Sequence, residues 1–316
     1  MRAALTHPPL VLAIFGPTAS GKSAVAEALT ERVPAEVVSA DAMQAYRGLP
    51  ILTNQPEQPT RLVGIWPLEH EGSVGEYARL AHAAVDEILA AGRTPLVVGG
   101  TGLYLRAALA ELELPPAPAP GARGRWERLY DRLGPERAHA ALADRDARAA
   151  AAVHPNDRRR VVRALELSEV GESLSPRGSG LWSEETRHPT LIVGLDVPRE
   201  LLAARIGART RSMFERGVEE EVRQALDGPL STTARKTIGL EEIATLPSDE
   251  AIAAVSLKTR RYAAYQRKWL RRLPGIVSLR ADRPPGDVAD EILEVARARQ
   301  RLPAGRAGES PSAHFR

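Results

Sequence analysis

Residues Gly16-Pro17-Thr18-Ala19-Ser20-Gly21-Lys22-Ser23 fit the pattern G-x-x-x-x-G-K-[ST], and the segments on either side supply the context that the pattern needs. Residues 10–15 are a short apolar run and residues 20–32 have helical composition, so the stretch reads as strand, turn, helix. A glycine-rich turn at a helix N-terminus aims backbone N–H groups at an anion. Lys22 adds a point charge, and the Ser23 hydroxyl can ligate Mg²⁺. The motif commits the chain to an α/β domain with a phosphate site at a strand end. It does not identify the phosphate compound, and taken alone it favours a nucleoside triphosphate, hence a kinase or NTPase.

The rest of the chain fits that architecture. Short β-branched runs recur at 36–39, 96–98, 191–196 and 276–279, separated by helical segments, which implies a mostly parallel sheet with right-handed crossovers. Ser73 with Glu76 forms a capping-box pattern, followed by Tyr77, Ala81, Val85, Ile88 and Leu89 at helical spacing until Gly92. The proline and alanine stretch 115–120 cannot continue a helix, and the Arg- and Ala-rich segment after it predicts an inserted helical subdomain over 115–188. The expected layout is a P-loop NTPase-like parallel sheet flanked by helices: core 1–114, insert 115–188, a return to the core with C-terminal helices over 189–300, and a disordered tail 301–316. The longest of those helices is expected over 249–273. The 316 residues, 43% hydrophobic, suffice for one such domain. With no cysteine, disulfides and thiolate metal sites are excluded. No stretch approaches the ~18 apolar residues of a membrane span, and 1–9 lacks a signal-peptide pattern, so the expected compartment is the cytoplasm.

Asp41 follows the second strand, at the carboxyl end of the sheet where α/β sites form. In a kinase it would hold Mg²⁺ or accept a hydroxyl proton. The ordered set changes that reading. The P-loop, then Ala40-Asp41-Ala42-Met43-Gln44-Ala45-Tyr46, then Val98-Gly99-Gly100-Thr101-Gly102-Leu103-Tyr104, then His154-Pro155-Asn156-Asp157 with Arg160 and Arg163-Ala164-Leu165-Glu166, resembles bacterial tRNA dimethylallyltransferases. The resemblance continues through Arg209, Met213, Gly217, Glu220-Glu221-Val222, Ile238-Gly239, Gln266 and Trp269.

That resemblance implies that residues Gly16, Pro17, Thr18, Ala19, Ser20, Gly21, Lys22 and Ser23 hold the diphosphate of dimethylallyl diphosphate, with Mg²⁺ on Ser23. It implies Asp41 as general base on the exocyclic amine of an anticodon-loop adenosine, and Thr101 and Arg209 as further catalytic groups. The tRNA is implied to meet Asp41, Ala42, Met43, Gln44, Thr101, Arg123, Arg159, Arg160, Val161, Val162, Arg163 and Gln266 on a monomeric enzyme. Gln55 stands where the resembled family usually shows lysine, and Ala264-Tyr265 where a Lys-Arg pair is common.

The net charge is only +3, but the cations are clustered. Arg158, Arg159, Arg160 and Arg163 fall within six positions, and 251–272 holds seven cations with no acidic residue. Tyr262, Tyr265 and Trp269 share a stripe there at spacings of three and four. Basic residues beside exposed aromatics suit the backbone and unstacked bases of RNA. A prenyltransferase for free adenine nucleotides would not need two such surfaces, a small-molecule kinase does not explain His154-Pro155-Asn156-Asp157, and a non-enzymatic RNA-binding module would not need a complete P-loop.

Overall fold

The computed structural model describes residues 10–116, 119, 121–174 and 181–301; the tail expected over 301–316 lies, from 302 on, outside the described residues. The first half of the core runs β1 (Val11–Phe15), α1 (Lys22–Arg32), β2 (Ala35–Ser39), α2 (Val74–Ala90), β3 (Thr94–Gly99) and α3 (Gly102–Leu109). Four helices follow: α4 (Ala122–Leu133), α5 (Pro135–Arg145), α6 (Ala147–Ala152) and α7 (Arg158–Glu169). The chain then returns through β4 (Thr190–Asp196), α8 (Arg199–Glu215), α9 (Val218–Leu226), α10 (Leu240–Thr245), α11 (Ser248–Leu270), β5 (Val277–Arg280) and α12 (Pro285–Arg301).

The five strands pair in parallel in the order β2-β3-β1-β4-β5. All of β1 is buried, as a central strand covered on both faces must be. Its side chains alternate. Val11, Ala13 and Phe15 join α2 and α3 on one face, through Tyr77, Val85, Ile88 and Leu105. Leu12 and Ile14 join α1 and α12 on the other, through Val25, Leu29, Val288 and Ile292. Each buried aliphatic side chain of this size contributes about 1.5–3 kcal/mol of transfer free energy, so the two faces hold the strand ends rigidly beneath the loops.

Local chemistry sets two helix starts. Ser73 caps α2 by accepting the Glu76 N–H at 3.1 Å, but the other half of the expected box does not form, because the Glu76 carboxylate contacts His70 Nε2 at 2.9 Å instead. Helix α1 begins at Lys22, two residues later than composition suggests. Ala19 (φ 63°) and Gly21 (φ 93°) are both left-handed, which keeps the segment a loop. For alanine that conformation costs roughly 1–2 kcal/mol, a strain tolerated where backbone N–H groups must face a ligand.

Helices α4 to α7 have a core of their own, built from Trp126, Tyr130, Leu142, Val161 and Leu165. Within it the Glu166 carboxylate is fully buried and held by Arg123 (2.8 Å) and Arg163 (2.9 Å). A buried carboxylate needs such partners, and two guanidiniums supply them. Arg163 also donates to the carbonyl of Pro116 at 2.5 Å, tying α7 to the segment that enters the insert.

Candidate active site

The loops that follow β1, β2 and β3 meet at the carboxyl edge of the sheet. The Ala40 N–H donates to Val98 O at 2.8 Å, drawing the Asp41 loop over the end of β3. Glycine makes the approach possible: a Cβ at Gly99 would lie 2.2 Å from Ala40 O, and one at Gly100 would lie 2.3 Å from Gln266 Nε2. Thr101 occupies the N-cap position of α3 but makes no side-chain capping bond. Its Oγ1 instead lies 3.3 Å from Tyr262 Oη, on α11.

The P-loop is braced from the far end of the sequence. Gln266 Oε1 accepts the Thr18 N–H at 2.8 Å, and its Nε2 donates to Gly100 O at 2.9 Å. Arg209, on α8, donates to Thr18 Oγ1 at 2.8 Å. Lys22 Nζ curls back onto the carbonyls of Gly16 (2.9 Å) and Pro17 (2.8 Å).

The electrostatics favour a polyanion. Burial pushes the Lys22 ammonium down to about 8, against the pull of Asp41 and with the push of Arg209. Burial also lowers Arg209, again opposed by Asp41. Two half-buried cations thus share one carboxylate, beside the positive end of α1. Arg209 Nε and Ser20 Oγ are buried with no hydrogen-bond partner among the described residues, and a diphosphate oxygen is the kind of acceptor each donor fits. Ser23 lies in the first turn of α1 with its side chain exposed. Among the described residues no cluster of three or more His, Asp or Glu could cage a metal. The Ser23 hydroxyl is an oxygen ligand of the kind that Mg²⁺ takes beside phosphate oxygens.

Asp41 Oδ1 accepts the Met43 N–H at 3.0 Å, an arrangement that orients the carboxylate over its own turn. Its charge reaches across the site: besides Lys22 and Arg209, it adds to the burial that pushes Tyr77 and Tyr104 up and Tyr262 up to about 12. The loop behind Asp41 is pinned at several points. Tyr77 Oη donates to Ser39 O at 2.9 Å, and Gln55, in place of the lysine of the resembled family, donates to Tyr46 O at 2.7 Å. The Glu221 carboxylate accepts the N–H groups of Ile51 (2.7 Å) and Leu52 (2.8 Å).

Several residues expected on the tRNA surface have other duties. Val161 and Val162 are buried in the insert's core, because α7 turns that face onto α4 and α5; their side chains are closed to a nucleic acid. Gln266 is 2% exposed and spent on Thr18 and Gly100. The Gln44 side chain accepts from Ser39 Oγ (2.9 Å) and donates to Asn54 O (2.8 Å), so it shapes the Asp41 loop. Arg123 and Arg163 serve Glu166 first. Arg159 and Arg160 are exposed and make no ion pair among the described residues, while Ala42 and Met43 are half-buried beside Asp41. Arg159 and Arg123 lie close enough to Lys236 to help lower it, after burial, so a cationic strip joins the insert to the core. Lys236 has no motif around it and was not legible from the sequence.

The aromatic stripe of α11 divides. Tyr262 turns to Thr101, the Trp269 ring lies directly against Gly102, and Tyr265 remains 53% exposed. Nearby, Trp182 stacks between Trp269 (5.0 Å) and the Arg272 guanidinium (4.3 Å). The cations divide as well: Lys258 pairs with Glu242 and Arg267 with Asp196, leaving Arg260, Arg261, Lys268 and Arg271 on the exposed face.

Known proteins match along nearly the whole chain. The sequence model of a family described as IPP transferase matches residues 44–273, and one described as isopentenyl transferase matches residues 9–61. A tRNA dimethylallyltransferase of Streptomyces coelicolor is 40% identical over 281 residues, covering 85% of this chain and 89% of that protein. One from Anaeromyxobacter is 41% identical over 301 residues, covering 90% and 97%. The crystal structure of a tRNA isopentenylpyrophosphate transferase from Bacillus halodurans superposes with a TM-score of 0.66 at 30% identity, covering 93% of this chain and 97% of that one.

Proposed function

We infer the reaction from the family: this chain belongs to the IPP transferases, and it transfers a dimethylallyl group to tRNA. The donor is dimethylallyl diphosphate and the acceptor is the N6 amine of an adenosine in the anticodon loop. The observation that supports the assignment is that Lys22 and Arg209 both rest on the P-loop, at Gly16, Pro17 and Thr18, within electrostatic reach of Asp41. In this reading the cations take the leaving diphosphate and the carboxylate takes the amine proton.

An adenine amine is a weak nucleophile because its lone pair is delocalised into the ring. As it attacks the allylic carbon, the new N–C bond takes up that lone pair, and Asp41 accepts the N–H proton, restoring the neutral amine. The C–O bond breaks in the same step and its electrons pass to the diphosphate. Lys22, Arg209, the hydroxyls of Thr18 and Thr101, and the first-turn N–H groups of α1 offset that charge from fixed positions. Ser23 would hold Mg²⁺ through its hydroxyl, and the ion would supply further charge neutralisation. Tyr77, Tyr104 and Tyr262 wall the site and keep bulk water from the allylic carbon.

The tRNA docks along the strip from Arg159 and Arg160 through Lys236 to the free cations of α11, on a monomer in the cytoplasm. Arg159→Ala with Arg160→Ala should reduce the magnitude of the log-log salt slope of tRNA binding by about two, about one for each lost phosphate contact. Donor affinity should stay within about twofold. A tRNA affinity indifferent to the double change at every salt concentration would make these arginines a solvated face only. The reaction is tested by incubating the enzyme with Mg²⁺, labelled dimethylallyl diphosphate and either unmodified tRNA or AMP. Label must enter tRNA; label in AMP alone would favour an enzyme of free nucleotides, and phosphate transfer from ATP would favour a kinase.

A further inference from the structure

We propose that Tyr262 and Gln266 are positioning residues that fix the direction of the Thr101 hydroxyl, so that its proton points at the substrate and not back into the protein; the inference rests on the transfer reaction assigned above.

The argument is one of hydrogen-bond polarity. Gln266 contacts two backbone groups whose roles are not interchangeable. The Thr18 N–H can only donate, so the atom 2.8 Å away is the amide oxygen. The Gly100 carbonyl can only accept, so the atom 2.9 Å away is the amide nitrogen. Both contacts agree on one orientation, and a flip of the amide would break both. The nitrogen has a second hydrogen. Tyr262 precedes Gln266 by one helical turn on the same face of α11, and the phenol's ionisation, raised chiefly by burial, is eased by both the Gln266 and Thr101 side chains. Tyr262 Oη lies 3.3 Å from Thr101 Oγ1, a contact in which either hydroxyl can donate, and in the proposed arrangement the phenol gives its proton to Thr101.

Thr101 then accepts from Tyr262 and keeps its own proton for the opposite side. The side chain is not spent on capping α3. Thr101 follows β3, whose end the Asp41 loop covers, and a hydroxyl donor at this edge of the sheet meets an oxygen that gains charge as the allylic bond breaks. The 3.3 Å separation is long for two hydroxyls, and such contacts tighten when substrate fills a site. Thr18, Gln266, Tyr262 and Thr101 thus form a directed chain from a P-loop amide to the reacting oxygen. The peptide groups at its start hold the Gln266 amide in one orientation.

The test is a cycle of variants read by single-turnover prenyl transfer at saturating donor and tRNA. Tyr262→Phe removes one hydroxyl and should slow transfer about tenfold, the worth of one neutral hydrogen bond, with both Michaelis constants within about twofold. Repeated in a Thr101→Ser background, which keeps a hydroxyl, the loss should remain about tenfold; in a Thr101→Ala background it should shrink to less than about twofold. Equal losses in all three backgrounds, or no loss in any, would overturn the positioning role while leaving the reaction intact. A wild-type enzyme that moves no label to tRNA would overturn the reaction and this inference with it.

Discussion

Replacing Asp41 by asparagine should lower single-turnover prenyl transfer by roughly 10² to 10⁴, the usual worth of a positioned acid or base. Asparagine keeps the shape of the side chain, and its oxygen can still accept the Met43 N–H that orients Asp41 Oδ1. What it cannot do is accept a proton at neutral pH. Donor and tRNA affinities should therefore change little, and the loss should sit in the rate constant. A second role must be separated from the first, because Asp41 also lies within electrostatic reach of Lys22 and Arg209. Were the carboxylate needed mainly to anchor Mg²⁺, excess metal would restore much of the rate. The measurement is transfer of labelled prenyl group to saturating tRNA across a Mg²⁺ titration. A near-normal rate for the variant at any Mg²⁺ concentration removes Asp41 as the base.

Lys22→Ala should be nearly as damaging, with a different signature. Lys22 Nζ now rests on Gly16 O and Pro17 O, and a bound diphosphate offers it a far better acceptor. Loss of the ammonium should weaken the donor and slow the step at saturating donor by roughly 10² to 10³, with tRNA affinity within a few fold. The acid–base behaviour gives a second readout. Burial holds the free-enzyme ammonium down at about 8, so above that pH it is progressively neutral. Diphosphate favours the charged form and raises the group, so donor binding takes up a proton in that range. Wild-type donor affinity should fall as pH rises above about 8, by up to tenfold per pH unit. Lys22→Ala should lose that dependence. A wild-type affinity flat from about pH 7.5 to 9.5, or the same slope in the variant, would place the ammonium outside the donor site.

The matches along the chain also settle a choice that the P-loop left open. Gly16 to Ser23 is compatible with any phosphate ligand, and by itself it favoured a kinase. The motifs after β2 and β3 narrowed it, because they place a carboxylate and a hydroxyl beside the phosphate site.

What the sequence determined by itself was whatever a few neighbouring residues decide. The P-loop between an apolar strand and a helix, the Ser73 cap of α2, the parallel strands and the position of Asp41 after β2 are all products of local pattern and connection rules. The faces of helices were another matter. Val161 and Val162 sit among arginines in the sequence, and only the packing of α7 against α4 and α5 turned them inward. The resemblance implied Gln266 as a tRNA contact and the cation-flanked stripe suggested Trp269 for RNA, yet α11 crosses the sheet edge with that face inward. Gln266 reaches Thr18 across 248 positions and Tyr262 reaches Thr101 across 161. No periodicity signals such pairs, since contacts between elements depend on how apolar faces dock and not on the residues beside each partner. The sequence named the groups proposed to do the chemistry, and the tertiary structure decided which distant side chains touch them.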